Sequence, residues 1–195
     1  MASAVRLVPR VDDAEQAFMA AMDELDWLLI EVKPRDEESG QSFEMIYGDE
    51  SSGDVATFTQ HMTLGLRIIA VTGPRSDEVA DLLRERLDAW PRQAMLELWA
   101  RGVAEDDVDD RVDAVLLLGV CAPATEDPEL ASPIQDALED ANEDVRNAAI
   151  VAVTFPGWER FRPMLEHIAA NDPDEVARQR AQLVLKNWAA LDALG

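Results

Sequence analysis

Apolar residues recur at three- and four-residue spacing over residues 12–25, at Ala14, Ala17, Phe18, Ala21 and Met22. That is the period of an amphipathic helix. Asp12, Asp13 and Glu15 fall in its first turn, where the helix dipole favours negative charge. The apolar run 27–32 predicts a strand, 35–40 a turn and 43–47 a second strand. Residues 48–54 are rich in Gly, Asp and Ser, which tolerate turn conformations. Residues 55–60 alternate, and 64–71 alternate again with Leu64, Leu66 and Ile68 on one face. Short turns between consecutive strands imply an antiparallel meander. Residues 72–76 end it, and Ser76 is placed to cap a helix that buries Val79, Leu82, Leu83 and Leu87. Pro91 opens another helix through Leu96 and Trp99. The predicted class is α+β: an N-terminal helix and an antiparallel sheet of about four strands over residues 1–89, followed by helices over 90–195.

The second half carries no strand pattern and repeats itself. Residues 128–138 overlay residues 158–168, so that Pro133 meets Pro163, Ile134 meets Met164 and Leu138 meets Ile168, each 30 residues apart. Val145 meets Val176 at 31 residues, and Asp110 and Ala114 lie 34 residues before Asp144 and Ala148. A period of 30–34 residues built from two helices is the signature of an α-solenoid.

The run 141–149 (Ala-Asn-Glu-Asp-Val-Arg-Asn-Ala-Ala), preceded by Pro133-Ile134, resembles the HEAT repeat pattern of a proline, an aliphatic residue and then acidic-Val-Arg-x-Ala-Ala. It is most similar to the short HEAT-like repeats of the phycobilin lyase superfamily, and the resemblance spans residues 104–190. It implies a short HEAT-like α-solenoid, a type of repeat found in scaffolds, chaperone-like proteins and some enzymes. Ala148, Ala149 and Ala152 would let neighbouring helices approach closely, Asp144 would cap its helix, and Arg146 would pair with acids of an adjacent repeat. Residues 1–90 resemble no family of known function.

Composition narrows the function. The net charge is −23, with 40 acids against 17 bases. Such a chain repels the phosphates that a nucleic-acid binder must neutralise. Of the basic residues only Lys33 and Lys186 are lysines. Three readings of this skew stay open: a GC-rich genome, adaptation to a salty cytoplasm, or an acidic surface that docks on a basic protein. No apolar run approaches the ~20 residues that span a bilayer. Residues 1–10 lack the apolar core of a secretory signal, so the expected location is cytoplasmic. Cys121 stands alone, which excludes a disulfide framework within one chain.

Catalytic material is thin. His61 and His167 are the two histidines, and nothing in the pattern brings them together. The acid run 105–110 reads as a solvated helix start rather than a spaced cation loop. No phosphate-binding glycine loop is present. The expectation is therefore no catalysis, no cofactor and no metal site. In HEAT arrays the second helix of each repeat lines the concave face. Assigning residues 128–139 and 158–168 to second helices makes Glu129, Gln135, Asp136, Glu139, Glu159, Arg160, Glu166 and His167 the default contact surface. Residues 104–144 hold fourteen acids against one base, Arg111. The reading that results is a protein-interaction module or adaptor for a basic protein partner, with an immunity-type inhibitor as its specific form. The alternative is a lyase-like or chaperone-like factor handling a chromophore or cofactor. The sequence leaves the oligomeric state open.

Overall fold

The structure is a computed structural model that describes residues 4–193. The chain divides into two compact units, residues 1–91 and 92–195. The first runs β1 (Val5–Leu7), α1 (Ala14–Glu24), β2 (Leu28–Lys33), β3 (Phe43–Asp49), β4 (Asp54–Gln60), β5 (Arg67–Thr72) and α2 (Ser76–Arg86). The sheet order is β1-β5-β4-β3-β2, antiparallel at every step. It has one strand more than the pattern predicts. Three residues are too few to show alternation, and β1 exists because Val5, Arg6 and Leu7 pair with Val71, Ala70 and Ile69.

One face of this sheet is apolar. Met45, Tyr47, Ala56, Phe58, Ile69 and Val71 meet Phe18 and Met22 of α1 and Val79 and Leu83 of α2 in a single cluster. Phe18 stands edge-on to Tyr47 at 5.7 Å and stacks on Phe58 at 5.6 Å. The expected face of the last strand is wrong by one residue. Leu64 and Leu66 belong to the turn before β5, where Leu66 O accepts from His61 N at 2.8 Å. The core face carries Ile69 and Val71, because Phe58 pairs with Ile69. With Ile68 and Ile69 both apolar, alternation alone cannot choose a face, and a one-residue slip exchanges the two.

The start of α2 also differs from expectation. Arg75 is its N-cap and Ser76 already lies inside the helix, without a side-chain cap. The anchor is Asp54, fully buried, which accepts from Arg75 N at 2.8 Å, Arg75 Nε at 2.9 Å and Ser52 Oγ at 2.6 Å. Burial opposes the charge on Asp54, but these donors outweigh it and hold its carboxyl below the ordinary range.

The second unit runs α3 (Arg92–Glu105), α4 (Val108–Cys121), α5 (Pro128–Leu138), α6 (Glu143–Ala152), a 3-10 turn (Glu159–Phe161), α7 (Arg162–Asn171) and α8 (Glu175–Asp192). The helices pair as α3–α4, α5–α6 and α7–α8, and α6 packs between α4 and α8. The α4–α6 approach depends on Gly119. A Cβ there would sit 2.5 Å from Ala152 O and 2.6 Å from Ala152 Cβ. Each second helix starts on a capping side chain: Asp107, Asn142 and Asp174 accept from backbone N–H groups two or three residues on. The cap of α6 is thus Asn142 and not Asp144, which lies in the first turn.

Four residues past each cap stands an arginine, Arg111, Arg146 and Arg178. Arg111 Nε approaches Asp140 Oδ2 at 3.3 Å, and Arg146 Nε meets Asp172 Oδ2 at 2.8 Å. Each of these two pairs ties one helical pair to the loop of the next. Trp158 is buried and stacks on Phe161 at 5.8 Å, while its indole N–H donates to Pro123 O at 3.0 Å.

Candidate functional site

Within the helical unit an open groove of about 500 Å³ lies between the α5–α6 corner and α7. The last turn of α5 supplies Leu138 and Glu139, the following loop Asp140, and α7 supplies Pro163, Met164, His167, Ile168 and Asn171. Leu138 and Ile168 are nearly closed off and form the floor, whereas Met164 is half-buried and stands into the opening. Volume and lining fall in the range of recognition sites, apolar with a few convergent polar groups.

The wall under the groove is the Arg146–Asp172 pair. The guanidinium meets Asp172 through Nε and Nη2, both at 2.8 Å, and donates through Nη1 to the carbonyls of Asp140 at 2.9 Å and Ala141 at 3.0 Å. Both side chains are buried. The Arg146 guanidinium pulls the Asp172 carboxyl below its usual range. A charge pair this fully hydrogen-bonded is a rigid strut, because losing either member would strand the other in low dielectric. The strut fixes the α5–α6 corner against the α7–α8 corner and so fixes the width of the groove. Arg178 repeats half of the arrangement, donating to the carbonyls of Asp172 at 2.5 Å and Pro173 at 3.1 Å.

The residues expected to form the contact surface sort into two sets. Glu139 and His167 come together on the groove. Asp136 and Glu166 are exposed on α5 and α7, the two helices that flank it. Four others hold intramolecular partners: Glu129 pairs with Arg92 at 2.6 Å, Glu159 with Arg162 at 2.8 Å, and Arg160 with Glu126 at 2.9 Å and with Gln135 at 3.2 Å. The helix assignment behind the set needs correction. Residues 128–138 and 162–171 are first helices of their pairs, and the second helices are α4, α6 and α8. A helix–turn–helix period reads equally well in either phase, and only the packing fixes it. The second-helix layer is no open surface at α6, where residues 145–150 are all buried.

The sequence reading missed Met164 and Asp172 as parts of a site. Met164 matches Ile134 in the repeat, yet Ile134 is fully buried while Met164 is half-buried on the groove. The repeat pattern pairs Arg146 with acids of an adjacent repeat without naming one, and the structure makes that acid Asp172.

Residues 96–186 match the family model for HEAT repeats. The helical unit carries a HEAT-like repeat region over these residues. No curated protein and no solved structure matches the chain. HEAT repeats are generally protein-interaction or scaffold elements, and among the described residues no helix is long and apolar enough to cross a membrane. The groove therefore lies between the second and third helical pairs of a HEAT region, where neighbouring repeats meet.

Proposed function

We propose that the HEAT region is a protein-interaction module that holds a basic segment of a partner protein in the groove between α5 and α7, acting by binding and not by catalysis. The observation that carries this reading is an apolar floor with an exposed acid at its rim: Leu138, Met164 and Ile168 line the groove beside Glu139, and Asp136 and Glu166 are exposed on α5 and α7. A Lys- or Arg-containing segment would lay an apolar side chain against Met164 and its cationic groups along Glu139 and Asp136. Apolar contact would supply affinity, and the charge would supply orientation and association rate. A small acidic protein that blocks a basic toxin or nuclease would use such a surface in the same way, which makes an immunity-type inhibitor the specific form of this proposal.

Selection of a displayed peptide library on the protein tests it. The expected winners carry two or more cationic residues beside an apolar one, and they lose binding to Met164→Lys and to Glu139→Lys. Both positions face the opening, so neither change disturbs the buried core. Winners without cationic residues, or winners that bind both variants as well as the parent, would overturn the proposal.

A further inference from the structure

The two edges of the sheet are treated differently. β1 is three residues long and is followed by Pro9, which forms a bridge to Ala89. Short, proline-flanked edges are how natural sheets avoid pairing with other chains. β2 at the opposite edge is six residues long, Leu28–Lys33, and carries apolar side chains toward both faces. Leu28 is 57%, Leu29 51%, Ile30 62% and Val32 47% exposed. A long edge with four exposed aliphatic side chains is a pairing template left open.

The strand is also complementary to itself. Its pairing with β3 sets Leu29 opposite Tyr47 and Val32 opposite Met45, on the core face, while Leu28 and Glu31 lie opposite Gly48 and Ile46 on the other face. The offset comes from a bulge at Ile30. A bulge normally turns an edge away from partners. Two copies related by a two-fold axis between residues 30 and 31 would place bulge against bulge, so neither strand loses register. In that register Leu29 meets Val32 of the second copy twice on the core face, and Leu28 meets Lys33 while Ile30 meets Glu31 on the other. Beyond the strand ends, Asp26 meets Arg35. Every directly opposed pair shares a face, no like charges are opposed, and the strand itself carries one acid and one base, Glu31 and Lys33. On a chain of net charge −23, this strand adds no net charge of its own to the contact.

We propose that β2 is a homodimerisation edge, pairing antiparallel with β2 of a second copy to join two five-stranded sheets into one of ten strands. An isologous two-fold contact of this kind closes on itself and does not propagate. The proposal stands independently of the groove on the HEAT region. Six residues at a sheet edge bury less than the ~800 Å² per partner of a standard interface, so the dimer should be weak, with dissociation in the micromolar range. Added salt should strengthen it, since screening relieves the repulsion between two acidic chains.

Sedimentation of the full chain from about 1 to about 500 µM, at low and at 0.5 M salt, tests this. The expected result is a concentration-dependent monomer–dimer equilibrium that tightens with salt. Ile30→Glu, at the most exposed of the four positions, should weaken it about tenfold or more by setting its carboxylate against Glu31 of the second copy. Because Ile30 could also act through its bulge, a second variant reads the register directly. Leu29→Cys combined with Val32→Cys, in a Cys121→Ala background, should form a disulfide-linked dimer on air oxidation, since opposed Cβ atoms lie about 4.5–5.5 Å apart. A protein that stays monomeric across the whole range, or one whose dimer is unaffected by Ile30→Glu and gives no cross-link, would overturn the proposal. A foreign strand as the natural occupant would show itself as the first of these outcomes.

Discussion

In the sheet unit a buried carboxylate serves one joint: Asp54 pins the first turn of α2 through Arg75. In the HEAT unit an acid–arginine joint recurs: Asp172 accepts from Arg146 of the preceding helical pair, and Asp140 lies 3.3 Å from Arg111 Nε as an ion pair without a hydrogen bond. The difference is one of periodicity. A joint used once leaves no trace in the sequence beyond an Asp in a turn, whereas one used at intervals of 32 to 35 residues leaves a ladder of cap, arginine and acid. It also distributes stability differently. The sheet unit rests on a shared apolar cluster, while each helical pair depends on its neighbour and a terminal pair has one neighbour fewer.

The ladder is the easiest part of this contrast to break. Arg146→Ala removes the strut and strands a buried Asp172 and two backbone carbonyls, for an expected loss of about 3–5 kcal/mol in urea unfolding of the chain. Arg178→Ala, at the last rung, removes contacts to two carbonyls and no carboxylate, and should cost less than about 1 kcal/mol. Equal losses would mean that the ladder does not transmit stability from repeat to repeat.

A second pair of variants sets close helix packing against a forgiving sheet edge. Gly119→Ala forces a Cβ onto the backbone and side chain of Ala152. It should destabilise by about 1–3 kcal/mol by overpacking, in spite of the ~1 kcal/mol that alanine gains in helix propensity. Gly48→Ala on β3 meets Ile30 Cδ1 at 2.6 Å, the end of an exposed side chain that can rotate away. Its cost should stay below about 1 kcal/mol. Thermal melts of both variants beside the parent make the comparison.

These sites mark where the sequence was legible. The solenoid showed itself because its contacts recur: Pro133 and Pro163, Val145 and Val176 and the Arg146 pattern were readable from spacing alone. The meander of β2 to β5 was legible from Gly- and Asp-rich turns between alternating runs. What stayed hidden rests on pairing between distant segments. β1 is defined by its partner β5, the core face of β5 by Phe58 opposite Ile69, and the N-cap of α2 by Asp54, 21 residues upstream. The candidate groove is half legible in the sequence. Glu139 and His167 of the expected set line the groove, but the ion pairs that occupy Glu129, Glu159 and Arg160 depend on tertiary placement.

Acid titration gives a smaller effect. Arg92 holds Asp127 by a bidentate pair at 2.5 and 2.8 Å, which, with the N–H groups of Glu129 and Leu130, lowers its pKa to about 2. Asp127 therefore releases its proton more readily folded than unfolded. Its contribution is complete above the unfolded value of 3.8 and is lost as pH falls toward about 2. After screening at this partly exposed pair the contribution is about 1 kcal/mol. Urea unfolding between pH 6 and pH 2 should show a wild-type advantage over Asp127→Asn that shrinks across this window. The comparison must be with the variant, because protonation also relieves the general repulsion of an acidic chain. A difference that is constant with pH would place the role of Asp127 in helix capping alone.

The proposed action of the HEAT region is to hold a basic segment against the α5–α7 groove. Amide hydrogen exchange, with and without a saturating library-selected basic peptide, tests it most directly. The account predicts slowed exchange in α7 and at the end of α5, with the sheet unit unchanged and the protection diminished at high salt. Protection centred on α3 and α4 or on the sheet, or protection indifferent to salt, would contradict it.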